Sequence, residues 1–164
     1  MLTVGLLVLL WALASADAFQ NRASSFIGDY GGTGGKHFSH SGYQLEGPIT
    51  AIRLRVNRNY IVGLQVRYGK VWSDFEGGSS GNLEEIFLHP GESVIQVLGK
   101  YKYYLNKLTF VMGKGRFLSF GHDSGTGFTA APLHPNSVLR FISGRSGSLI
   151  DAIGLHWSTD NAKR

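Results

Sequence analysis

The chain contains no cysteine. That excludes disulfide bracing, thiol nucleophiles and cysteine-ligated zinc, so a domain of this size must be held by its hydrophobic core. No Asn-x-Ser/Thr sequon occurs, so N-glycosylation is not expected. Acidic residues are few, 11 against 16 Lys and Arg, leaving a net charge of +5. No segment longer than a few residues has helical periodicity. The one long apolar run, residues 2–14, is too short to span a bilayer comfortably. It ends in Ala14-Ser15-Ala16, the small-x-small form of a signal-peptidase site, although the preceding n-region has no Lys or Arg. Residues 1–16 therefore read as a secretory signal, with cleavage after Ala16 or alternatively after Ala18. No second run could cross a membrane, so the mature protein is expected to be secreted and soluble. Residues 17–23 read as a lead-in, 24–158 as one folded domain and 159–164 as a tail.

What the chain does have is glycine, 23 residues, and short runs of Val, Ile, Leu, Tyr and Phe bounded by it. This composition is all-β. The runs repeat. Ile61, Leu64 and Val66 follow an apolar-x-x-apolar-x-apolar spacing; Leu105, Leu108 and Phe110 restate it 44 residues on, and Ile150, Ile153 and Leu155 after another 45. Leu88-His89-Pro90 leads into Ser93–Val97, and Leu133-His134-Pro135 leads into Ser137–Phe141; Pro48 precedes Ile49–Leu54. Looser matches align Lys36–Ser39, Val71–Ser73 and Phe117–Ser119. The pattern is three copies of a unit of about four short strands. None buries its apolar face alone, and three around a common axis do. The expected architecture is a threefold prism with a central core; a generic sandwich with regularly spaced turns is the alternative.

Tyr30-Gly31-Gly32-Thr33-Gly34-Gly35, the threefold repeat and Gly147-Ser148-Leu149-Ile150-Asp151 resemble the jacalin-related lectins over residues 24–158. Val62–Phe75, Leu83–Val97 and Leu139–Trp157 are most similar to the mammalian secretory-granule members. The resemblance implies a type-I β-prism of three four-stranded sheets with pseudo-threefold symmetry. It also implies carbohydrate binding, of mannose or glucose type rather than galactose, without calcium, in granules and the extracellular space. Matrix proteoglycans and bacterial wall glycans are further implied partners.

Alignment of the repeats singles out Asp151, which stands where the first copy has Val62 and the second Asn106. An ionised carboxylate accepts hydrogen bonds from two adjacent sugar hydroxyls, and these charge-assisted bonds are the stronger kind. Backbone N–H groups of Gly147, Ser148 and Leu149 are expected to flank it as donors. The resemblance places the N-terminal glycine loop across the sugar, with Gly34 and Gly35 carrying the contact and Gly31 and Gly32 behind. Lys102 lies 45 residues before Gly147, in the equivalent loop of the second copy, and with Tyr103 it is expected to form a third wall. Tyr101 or Tyr104 is assigned to the core before Tyr103. The structural alternative for Asp151 is an ion pair with Arg145.

A second candidate surface is basic. Lys36, Arg53, Arg55, Arg58, Arg67 and Lys70 face a single acid, Glu46, between residues 36 and 70. Arg53 and Arg55 alternate with Ile52, Leu54 and Val56, so both leave one face of a strand. Like charges together on a sheet are destabilising, which suits a polyanion: sulfated glycosaminoglycans, proteoglycans or anionic lipid headgroups. Lys36 and Lys102 are expected to link this surface to the sugar site. A solvated face is the plainer reading, and nucleic acid is not expected in an exported chain without such a motif. No cofactor, metal site or catalysis is expected. His89 and His134 precede proline in turns, and His37, His40 and His156 lack metal-ligand spacing. His122-Asp123-Ser124 are adjacent, whereas the members of a triad meet through the fold. A paired-carboxylate mechanism requires a mate for Asp151, for which Asp29 and Asp123 are the candidates.

Overall fold

The computed structural model describes residues 22–159. The expected signal segment and the last five residues of the tail lie outside that range. Thirteen strands, and one 3₁₀ turn at Tyr43–Glu46, build three antiparallel sheets. The first sheet comprises β3 (Ile49–Val56), β4 (Ile61–Tyr68), β5 (Val71–Trp72), β6 (Glu76–Gly77) and β7 (Asn82–Phe87), in the order β5-β4-β3-β7 with β6 also on β4. The second comprises β8 (Val94–Tyr101), β9 (Leu105–Met112), β10 (Phe117–Gly121) and β11 (Thr126–Ala130), in the order β10-β9-β8-β11. The third joins the two ends of the domain. β12 (Ser137–Ser146) and β13 (Ile150–Thr159) take β1 (Ser24–Gly31) and β2 (Lys36–Ser39) at their edges, in the order β1-β13-β12-β2.

The repeated apolar triplets are the axis of the molecule. Ile61, Leu105 and Ile150 are fully buried, as are Leu64, Leu108 and Ile153, then Val66, Phe110 and Leu155. Each triplet lies on the inner hairpin strand of its sheet (β4, β9, β13). All nine side chains meet in one core, where truncation of a single leucine to alanine costs about 2–5 kcal/mol. The threefold relation extends to backbone hydrogen bonds. Gly78 N–H donates to the Val62 carbonyl, His122 N–H to that of Asn106 and Gly32 N–H to that of Asp151, at 2.9, 2.8 and 2.9 Å.

One correspondence read from the sequence is corrected. Lys36–Ser39 pairs with β12, so its equivalents are β7 and β11, which pair with β3 and β8. Val71–Trp72 and Phe117–Gly121 instead correspond to β1, each lying beside an inner hairpin strand. The third unit takes its outer strands from the start of the domain, and a linear alignment shifts them by one strand.

Candidate carbohydrate site

Three loops converge at one end of the prism. They are the β1–β2 glycine loop, the β12–β13 turn and the β8–β9 turn. The last two are tight: Gly147 N–H donates to the Leu149 carbonyl at 3.0 Å and Lys102 N–H to the Tyr104 carbonyl at 3.1 Å. Asp151 is the second residue of β13. Its neighbours Ile150 and Ala152 are buried, and the chain's pairing with β12 and β1 holds its backbone in place.

The carboxylate of Asp151 lies directly beneath Gly34 and Gly35. A Cβ on Gly34 would stand 2.7 Å from Oδ2, and one on Gly35 2.5 Å from Oδ1. Gly35 also has φ +70°, a conformation in which other residues are strained. Glycine is therefore required here on two counts, and it brings the loop backbone close to the carboxylate. Gly147 and Ser148 are exposed and Leu149 half-buried at the rim, with Gly147 packed beside Gly35. The Tyr103 backbone packs against Gly32 with no room for a side chain, and its ring is 80% exposed. Lys102 is exposed beside it, whereas Tyr101 and Tyr104 are half-buried. The residues expected at the site from the sequence are thus brought together.

Asp151 itself is only 5% exposed, and burial pushes its pKa up from 3.8, with the Arg145 charge opposing. The two do not form an ion pair. Arg145 instead forks across the glycine loop, Nε donating to the Gly34 carbonyl and an Nη to the Gly35 carbonyl, each at 2.9 Å. The sequence offers Arg145 as a possible partner for the acid; its hydrogen bonds to the opposing loop are not legible there, because the acceptors are backbone groups 111 and 110 residues away. Neither proposed mate reaches Asp151. Asp123 is held by Lys100 at 2.7 Å and Lys107 at 3.6 Å, and the Asp29 carboxylate packs at Gly154, farther along β13.

On the first sheet, Arg53 and Arg55 alternate with buried neighbours as expected. Arg67 lies opposite Ala51 and shares their face. The charges are not left alone, however. β7 brings Glu85 opposite Arg53, and the two pair at 2.6 Å. Arg53 also stacks on Trp72 at 3.8 Å, Arg67 donates to the Thr50 hydroxyl and Arg55 to the Gly81 carbonyl. Lys36, at the end of the glycine loop, and Arg58, in the β3–β4 turn, are exposed. His40 is a buried core residue, its Nδ1 2.9 Å from the Tyr68 hydroxyl, and burial lowers its pKa to about 4. Among the described residues no group of three His, Asp or Glu could hold a metal ion, and no helix is long and apolar enough to cross a membrane.

Known proteins carry the same fold and the same sequence pattern. The family described as "Jacalin-like lectin domain" matches residues 27–156. Human "Zymogen granule membrane protein 16" is 76% identical over 157 residues, covering 96% of this chain and 94% of that protein. The crystal structure of a prostate-specific WGA16 glycoprotein lectin is 35% identical with a TM-score of 0.71, covering 82% of this chain and 99% of that one. Artocarpin, a lectin with mannose specificity, is 27% identical with a TM-score of 0.71, covering 82% and 97%. With its three-sheet prism and its carboxylate beneath a glycine loop, the chain belongs to the jacalin-like lectin family, whose members bind carbohydrate and are not enzymes.

Proposed function

We propose that the protein is a calcium-independent lectin for mannose-type glycans, with one primary site at Asp151. The carrying observation is a buried carboxylate without an ion-pair partner among the described residues, set beneath a glycine loop that Arg145 holds in place. A buried charge without a partner is costly. A hexose with two adjacent hydroxyls offsets that cost by donating to both oxygens. Gly34, Gly35, Gly147, Ser148 and Leu149 line the approach, and Tyr103 offers an aromatic face with Lys102 at the margin. The mannose specificity of artocarpin supports the choice of sugar. The residue types at the site support calcium independence, since a lone carboxylate falls short of a calcium shell. One shallow site binds weakly, about millimolar, so multivalent ligands supply the avidity.

A second binding mode is for sulfated glycosaminoglycans or proteoglycans through Lys36, Arg53, Arg55, Arg58, Arg67 and Lys102. The exposure of Lys36, Arg58 and Lys102 supports it, whereas the pairing of Arg53 with Glu85 weakens the central part of the face. Together with the name of the human relative, the two modes suit a secreted protein of the granule matrix that also meets bacterial wall glycans. The rival is a polyanion-binding granule protein, for heparan sulfate or anionic lipid, with a vestigial sugar site. A glycan array at low and high salt, with the wild-type chain and Asp151→Asn, separates them, because polyanion binding is screened by salt and neutral-sugar binding is not. Salt-resistant mannose binding that Asp151→Asn removes is the expected result. Binding to sulfated glycans alone, lost at high salt, would move the function to the basic face.

A further inference from the structure

The outer face of the third sheet carries a row of rings, toward the far end of β13 from Asp151. Phe26 on β1, His156 on β13 and Phe141 on β12 are cross-strand neighbours. Ring centroids lie 4.6 Å apart for Phe26 and His156, and 4.0 Å apart for His156 and Phe141. The row is held in place: His156 Nε2 is 2.8 Å from the Ser143 hydroxyl oxygen, and Phe141 packs against the core. A cavity of about 480 Å³ lies over it, lined by the three rings, Gln44, Arg140 and the serines at the start of β1, among others. That is the size of a small-molecule pocket, and its floor is aromatic.

Arg140 is the extra residue of a β-bulge between Leu139 and Phe141, a device that re-aims a side chain out of the strand's alternation. Bulges recur at the same place in the other two sheets, where the extra residues are Thr50 and Ile95. Only the third copy puts a charge there. In the first sheet this neighbourhood closes on itself, Arg67 Nε donating to the Thr50 hydroxyl at 2.9 Å. In the third, Arg140 has no ion-pair partner among the described residues. Its hydrogen bond there is a long one, from an Nη to the Gln44 carbonyl at 3.5 Å. Among the described residues no carboxylate lines the cavity, and burial lowers the pKa of His156 from 6.5, so that the imidazole is neutral at pH 7. The guanidinium therefore sets the sign of the pocket.

We propose that this pocket binds a small aromatic carboxylate, its ring against the row of Phe26, His156 and Phe141 and its carboxylate on Arg140. It goes beyond the Asp151 reading and does not depend on it. The planar guanidinium matches a carboxylate with two parallel hydrogen bonds, and these charge-assisted bonds are the stronger kind. The rings supply apolar area with preferred stacking and edge-to-face geometries for a second aromatic group. A neutral ligand of the same shape keeps the ring contact and loses the charge.

The test is an NMR titration of the isotope-labelled chain with naphthoate and with its neutral counterpart, naphthalenemethanol. The Arg140 Nε–H and His156 ring C–H signals report on the pocket, and the Trp72 indole N–H on the arginines of the first sheet. Naphthoate is expected to move the Arg140 and His156 signals at about millimolar concentration, and the alcohol to bind about tenfold more weakly. Arg140→Gln should bring naphthoate down to the level of the alcohol and leave the alcohol unchanged. Phe26→Ser, at a ring that is 51% exposed, should weaken both. Unchanged backbone amide signals along β4 and β9 show that each variant is folded. Unmoved Arg140 and His156 signals, equal binding of the alcohol, undiminished naphthoate binding in Arg140→Gln, or a response confined to Trp72 would overturn the proposal. Movement of the pocket signals on dilution without ligand would overturn it too, by placing a second copy of the chain there.

Discussion

The loop end of the prism and the outer face of its first sheet handle charge in opposite ways. At the loop end, Asp151 is buried beneath Gly34 and Gly35, while its nearest cation, Arg145, hydrogen bonds to backbone carbonyls. On the sheet face, Arg53 is paired with Glu85 and stacked on Trp72, and Arg67 is tied to Thr50. The first region holds a buried carboxylate that has no ion-pair partner among the described residues. The second satisfies most of its charges internally, as exposed networks do at small individual energies. The difference teaches that charge density alone does not locate a site. On the proposed function, a lone buried carboxylate marks one better than a row of arginines with partners.

The largest effect that would break this comparison is expected from Asp151→Asn. The amide cannot accept from two hydroxyls at both ends, so mannoside affinity should fall by a factor of about ten to a hundred, read by calorimetry. The same variant should be more thermally stable at neutral pH. The folded-state pKa of Asp151 is raised, so the folded protein holds the proton more tightly than the unfolded chain. Stability from this group is present at low pH and lost as pH rises from 3.8 through the raised value. At neutral pH the ionised form therefore costs stability, which the amide relieves. A lower melting temperature in Asp151→Asn would show that the acid is structural. Sugar binding by the wild type should in turn weaken on acidification at a pH above 3.8, as the carboxylate is neutralised.

Gly35→Val should come next. A branched side chain at φ +70° is strained, and its Cβ would press on Oδ1. Sugar binding should be lost with a destabilisation of about 1–2 kcal/mol or more, measured by denaturant titration. Arg145→Lys sharpens the picture further. A lysine keeps the charge but lacks the planar fork that reaches two carbonyls. Mannoside affinity should drop about fivefold to tenfold, with little change in melting temperature. An unchanged affinity would mean that the glycine loop needs no clamp. The smallest effect is expected on the other region. Glu85→Gln frees Arg53, and heparin affinity at low salt should rise about twofold, with the gain disappearing at high salt.

Most of the architecture was legible because it rests on period and spacing. The apolar triplets at Ile61, Leu105 and Ile150 announced three equivalent inner strands, and those side chains form the core. Asp151 stood out by comparison within the chain, against Val62 and Asn106. The outer strands were misaligned because the third sheet is closed by β1 and β2 from the start of the domain, an arrangement that a linear repeat does not contain. The clamp by Arg145 and the pairing of Glu85 with Arg53 were likewise hidden, since both join residues far apart in the chain.

The chain's own pattern was enough for an all-β, disulfide-free prism with one acid set apart from its repeat equivalents, because hydrophobic period and composition act locally along each strand. Which charges are satisfied and which remain open was settled by the closed fold, in which β7 delivers Glu85 to Arg53 and the glycine loop arches over Asp151. Hydrogen bonds and ion pairs act only over a few ångströms. Their partners come from whichever strands are neighbours, and strand neighbours belong to the topology, not to the order of residues.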